Sequence, residues 1–117
     1  MSIVENFCKT AVDGDKQYKY EYRMIKSNVL LSYGGDTIEV QSYGIEVERR
    51  DFVDGNMVSL ERECVSNVSP QRHKVHNLLK MLFDNTVSPI HLVEVIGEYI
   101  DEYIVDFDEA YKEISNC

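Results

Sequence analysis

The sequence predicts an α+β domain: a three-stranded antiparallel meander followed by a helical hairpin that covers one of its faces. Strict alternation runs through Tyr18, Tyr20, Tyr22 and Met24 against Lys19, Glu21 and Arg23, the period of a strand with one buried face. Two turn signals of the hairpin type, Gly34-Gly35 and Asp54-Gly55, divide the alternating region. Beyond them SPIHLVEVIGEYIDEYIVDF, from Ser88 to Phe107, carries the widest helical apolar pattern in the chain. With 117 residues there is room for one core and not for two.

Residues 1–16 scatter Ile3, Val4, Phe7 and Val12 among polar residues and end in Asp13-Gly14-Asp15, so they read as a weakly ordered arm ahead of a single domain over 17–117. The strands are expected at about 18–33, 36–53 and 57–65. Pairing across Gly34-Gly35 sets Leu31 opposite Ile38, Val29 opposite Val40, Met24 opposite Ile45 and Tyr22 opposite Val47. Both strands change apolar phase at matching positions, which predicts a strongly twisted or bulged hairpin whose far end wraps round. Across Asp54-Gly55 the expected register sets Val47 opposite Arg62, Ile45 opposite Cys64 and Arg49 opposite Leu60. A slip of one residue would place Val47 against Glu63 and scatter the apolar set.

Helices are expected at about 70–84 and 89–107. Ser69-Pro70 opens the first, and Val75, Leu78, Leu79, Leu82 and Phe83 form its stripe. The second has Ser88 as its cap, Pro89 at its first position and a staple between Val87 and Leu92. At about 100° per residue its apolar positions sweep roughly half the circumference, more than the stripe a surface helix needs. Ala110 and Ile114 continue that face, so the helix is free to run on to about Ile114 and project beyond the sheet. Gly97, unfavourable in mid-helix by about 1 kcal/mol, predicts a close approach to its backbone.

Twelve basic against 21 acidic residues give a net charge of −9, which argues against nucleic acid or an anionic membrane as the direct partner and leaves basic proteins and neutral surfaces open. No stretch has the unbroken apolar length of a membrane span, and the N-terminus has neither the basic start nor the apolar run of a signal peptide. The expected location is the cytoplasm. Cys8, Cys64 and Cys117 are too widely spaced for a disulfide framework or a zinc ribbon. His73, His76 and His91 lack the further ligand that zinc requires, no nucleophile, phosphate loop or carboxylate pair has motif-level spacing, and no metal, cofactor or catalytic residue is implied.

Two surfaces are candidate interaction sites. In the register above Glu46 and Glu48 lie across from Glu63 and Glu61, a row of like charges on the face away from the helices that suits a basic partner. The other is the surplus of the second helix, Tyr99, Tyr103, Ile104 and Phe107, which suits a partner protein or a second copy of the chain. Arg49 and Arg62 fall in the core phase of their strands, with Glu98 or Asp101 as possible counter-charges.

From about Glu39 to Val105 the chain resembles a family of short uncharacterised proteins from clostridia and related anaerobes, a domain of unknown function. The residues that carry the resemblance are Tyr43-Gly44-Ile45-Glu46-Val47, Ser69-Pro70, and Ser88-Pro89-Ile90-His91-Leu92 leading into Val95 and Ile96. It implies a bacterial cytoplasmic protein and assigns no activity. The expected function is a small interaction or regulatory domain, acting as a homodimer or on another protein. The alternatives are an acidic nucleic-acid mimic that blocks a basic site, and a small-ligand binder or enzyme without a recognisable motif.

Overall fold

The computed structural model describes residues 2–115; Cys117 lies outside them. Its elements, in chain order, are β1 (Ser2–Asp13), β2 (Lys16–Tyr33), β3 (Asp36–Val53), β4 (Asn56–Ser69), α1 (Arg72–Asp84), a 3-10 turn (Pro89–His91) and α2 (Leu92–Ser115). The strands form one antiparallel sheet in the order β1-β2-β3-β4. The molecule is elongated, 58 × 22 × 19 Å.

The expected arm is a correction. Residues Ser2–Asp13 are an edge strand paired with β2 from Ser2↔Lys26 to Asp13↔Lys16, so the meander has four strands among the described residues and not three. Its turn is Gly14-Asp15, with Gly14 at φ +64°. The alternation was masked because this strand faces the helices with Glu5, Phe7, Lys9 and Ala11, two of them charged, and the opposite face with Cys8, Thr10 and Val12. The charged residues are matched by α1. Glu5 meets His76 Nδ1 at 2.7 Å, and Lys9 donates to the carbonyl of Phe83 and, at 3.1 Å, to Thr86 Oγ1. Lys9 thereby supplies the cation that the last turn of α1 lacks, where the helix leaves carbonyls unsatisfied.

The β2–β3 pairs are those expected, Leu31↔Ile38, Val29↔Val40, Met24↔Ile45 and Tyr22↔Val47 among them. No bulge interrupts this ladder, which runs unbroken from Lys16↔Val53 to Tyr33↔Asp36. Alternation therefore puts Val29 and Leu31 on the ribbon face opposite Tyr22 and Met24. Both sets nevertheless meet the helical layer: Tyr22 and Met24 lie in its core, while Val29 and Leu31 line a groove with Ile100, Ile104 and Phe107 of α2. Right-handed twist, strongest in two-stranded ribbons, accounts for this by carrying the second face round toward α2.

The β3–β4 register is a second correction. Val53↔Asn56 and Phe52↔Met57 pair as the turn dictates, then β4 gains one residue before Asp51↔Ser59. From there Val47 faces Glu63, Arg49 faces Glu61 and Ile45 faces Val65, the slipped register that apolar matching had disfavoured. The price is small because β4 is an edge strand: Val58 and Leu60 are exposed, and the core is closed by β2 and β3 instead. A further irregularity lies between Tyr43↔Ser69 and Ile45↔Val65, where β4 runs close over Gly44. A Cβ there would sit 2.3 Å from the backbone oxygens of both Val65 and Ser66.

The core joins Tyr22, Met24, Ile45, Val47 and Val68 of the sheet to Val75, Leu79 and Leu82 of α1 and Leu92 and Ile96 of α2. α1 begins at Arg72 with Gln71 at its cap position, and α2 begins at Leu92 after the 3-10 turn, with no side-chain cap from Ser88. α2 does run to Ser115, about 36 Å at 1.5 Å per residue. Its second half follows the hairpin, and Tyr111 donates to the Asp36 carbonyl at 3.3 Å near the tip.

Candidate functional site

The four glutamates do not share a face. Glu46 and Glu48 lie on the helix-free side of the sheet with Arg23, whose guanidinium reaches them at 2.7 and 2.6 Å and also binds Glu21. Arg50 binds Glu48 at 2.9 Å. Burial pushes the Glu48 carboxyl up, but the hydrogen bonds and charges of Arg23 and Arg50 outweigh it and hold the group below its ordinary value. Glu61 and Glu63 stand on the other side, facing Arg49 and Val47. Arg49 binds Asp51 at 2.9 Å and Glu61 at 3.5 Å, donates to Ser88 Oγ at 3.3 Å and lies over the Tyr18 ring. Its partners are thus strand acids and not Glu98 or Asp101, while Arg62 is opposite Glu48, off the core face. Glu46, Glu48 and Glu61 are thus each paired with an arginine where they stand, and Glu63 is exposed.

The excess negative charge is on α2. Leu92–Ser115 holds eight of the 21 acidic residues and a single basic one, Lys112, so −7 of the −9 falls on this helix. Glu94, Glu98, Asp101, Glu102 and Glu109 are exposed. Interleaved with them are Val93 at 55%, Ile104 at 62% and Val105 at 52% exposure, preceded by Ile90 at 75%. Of the predicted helix residues, Ile104 belongs to this open stripe and Phe107 lines its border, whereas Tyr99 and Tyr103 pack against the core. Gly97 lies between Val93 and Ile104, and nothing stands within 4 Å of the position its Cβ would take, so the expected close approach is absent among the described residues. Along one edge of the stripe runs an open groove of about 310 Å³, between Ile100, Ile104 and Phe107 of α2 and Val29, Leu31, Asn67 and Val68 of the strands.

One acid on α2 has a different task. Asp106 is 3% exposed and accepts from Ser69 Oγ at 3.0 Å and from Lys74 Nζ at 2.9 Å, while Ser69 Oγ accepts from the Gln71 amide. The Asp106 hydrogen bond raises the Lys74 ammonium above its ordinary value. Helix α2 is thus latched to the β4–α1 junction at one point, and Tyr99 meets Met81 of α1 at 3.8 Å one stretch earlier. The sequence showed Asp106 only as one acid in a crowded helix end; its place on the Tyr99–Tyr103 face was the available signal.

His76 is engaged with Glu5, and His91 lies 3.4 Å from Glu94. Among the described residues no three metal-binding side chains converge, and no helix is long and apolar enough to cross a membrane. Burial raises the thiols of Cys8 and Cys64 above their ordinary value.

Fold and surface together define a small α+β domain with a polarised, largely acidic helix. The chain belongs to the family of unknown function DUF6514, whose model matches residues 1–102. The match spans the sheet, α1 and the first part of α2, and ends before Tyr103. No curated protein and no solved structure matches.

Proposed function

We propose that this chain is a protein-interaction domain that docks its partner along α2 and acts on it by occupancy. The observation that carries this reading is the exposure of Val93, Ile104 and Val105 on α2, with Ile90 exposed in the 3-10 turn that leads into it. Each leaves apolar area in water that would contribute about 25 cal/mol per Å² if covered, and apolar surface bordered by charge is the pattern of an interaction site. A nucleic-acid mimic would present carboxylates without such interruptions. Free Cys8 and Cys64 suit a reducing, cytoplasmic setting.

Affinity capture from a bacterial lysate with the wild-type chain and with the double variant Val93→Asp, Ile104→Asp tests the proposal, with circular dichroism showing that the variant folds. Proteins held by the wild type and lost by the folded variant are expected. Identical capture by both, or none by the wild type, overturns the reading.

A further inference from the structure

We infer that the occupant of the α2 surface is a basic amphipathic helix that sets a large apolar side chain into the groove beside Ile104, and not a second copy of this chain. The inference rests on the interaction reading and names its partner. Charge decides between the two occupants. A second copy would lay the exposed Glu94, Glu98, Asp101 and Glu102 of one helix against the same acids of another. Such pairing sets like charges within the distance at which salt screens them only in part. A basic helix meets the same acids with opposite sign.

The geometry favours a helix. Val93, Gly97 and Ile104 lie along one side of α2, spanning about 16 Å at 1.5 Å per residue, with Ile90 of the 3-10 turn beyond their near end, long enough for a few turns of a partner to lie alongside. Open space over Gly97 lets a partner backbone approach at the middle of that line. Glu94, Asp101 and Glu98 stand beside it on the solvent side, and the groove bordered by Val29, Leu31, Val68 and Phe107 lies on the other. An amphipathic helix with an apolar edge and basic flanks satisfies both borders: its anchor enters the groove while its Lys or Arg side chains reach the acids. An acidic helix meets only one of them.

The test titrates the full chain with two synthetic helical peptides of about 14 residues, one built of Leu and Lys and one of Leu and Glu with the same apolar edge. Sedimentation of the wild type and of Ile104→Asp is run in parallel. The Leu/Lys peptide is expected to bind, to weaken as salt rises, and to lose about tenfold in affinity on Asp101→Lys and on Ile104→Asp. Asp15→Lys, the same charge change on the distant β1–β2 turn, should leave it unaltered, which separates the α2 site from general attraction to an acidic protein. Equal binding of both peptides, indifference to the two α2 variants, or a wild-type dimer that Ile104→Asp dissociates overturns the inference. Failure of the Leu/Lys peptide while lysate capture still depends on Val93 and Ile104 overturns the partner's chemistry and leaves the interaction reading standing.

Discussion

The two ends of the β2–β3 hairpin are one ladder with two environments. At the base, β1 and β4 flank it and both helices cover one face, so that Tyr22, Met24, Ile45 and Val47 are buried. Beyond Lys26 and Tyr43 the pairing with β1 and β4 has ended, and α2 from Ile100 onward lies along the ribbon, with Asn67 and Val68 of β4 at its foot. There Leu30 stands 69% exposed, and Val29 and Leu31 line an open groove. The same strands therefore make a closed core at the base and, farther out, a surface where Val40 and Ser42 stay buried while Leu30 is open and Val29 and Leu31 border a groove. Stability is expected to reside in the closed core at the base, and recognition on the outer side of α2 from Val93 to the groove at Ile104.

The largest effect should come from breaking the junction between the two. Gly44→Ala drives a Cβ into the backbone of Val65 and Ser66, which cannot move aside as a side chain would, and should cost about 3 kcal/mol or more. Chemical denaturation measures it; a midpoint unchanged from wild type would refute the close crossing of β4.

The contrast itself is tested by a matched pair. Leu79→Ala, at a fully buried site, should cost about 3 kcal/mol, and Ile104→Ala less than about 0.5. Comparable losses at both sites would mean that the tip is as closed as the base.

Asp106→Ala should cost about 2 kcal/mol, since it leaves the buried Ser69 hydroxyl and the Lys74 ammonium without their acceptor. Amide exchange should then quicken in the second half of α2 while the base stays protected. Uniform protection would place the latch elsewhere.

The helix-free face supplies a pH dependence. Because the folded Glu48 pKa lies below its ordinary value of 4.5, its contribution is present above that pH and is lost as pH falls through the folded value. Glu48→Gln should flatten the acid limb of the stability curve; an unaltered limb would show that Arg23 and Arg50 do not hold this carboxylate.

The smallest effect has the opposite sign. Gly97→Ala enters open space, so helix propensity alone should stabilise the chain by up to about 1 kcal/mol. The same methyl should weaken binding of the basic peptide. A stabilised variant that binds as well as wild type would move the contact away from Gly97.

How much was legible in advance varied with the kind of signal. The β2–β3 register could be read because the turn glycines and apolar partners agreed at both ends of the ladder. β1 escaped because its helix-facing charges are matched by α1, a contact with no trace in local alternation. The β4 register escaped because a one-residue bulge is cheap on an edge strand, where exposed Val58 and Leu60 impose no penalty on a slip. The expected register also placed the candidate acidic face on Glu46, Glu48, Glu61 and Glu63, whereas the excess of acids over bases is concentrated on α2.

What the sequence determined by itself was set by local periodicity: an α+β domain, the central hairpin, two helices, and an apolar surplus on the second extending toward Ile114. Tertiary structure decided which charges are neutralised and which stay open. Arg23 gathers Glu21, Glu46 and Glu48 from β2 and β3, and Lys74 takes Asp106, because folding brings together groups whose separation along the chain carries no periodic signal. It also decided how far α2 is covered, since that depends on the twist of the ribbon and on where β1 and β4 end, both properties of the assembled sheet.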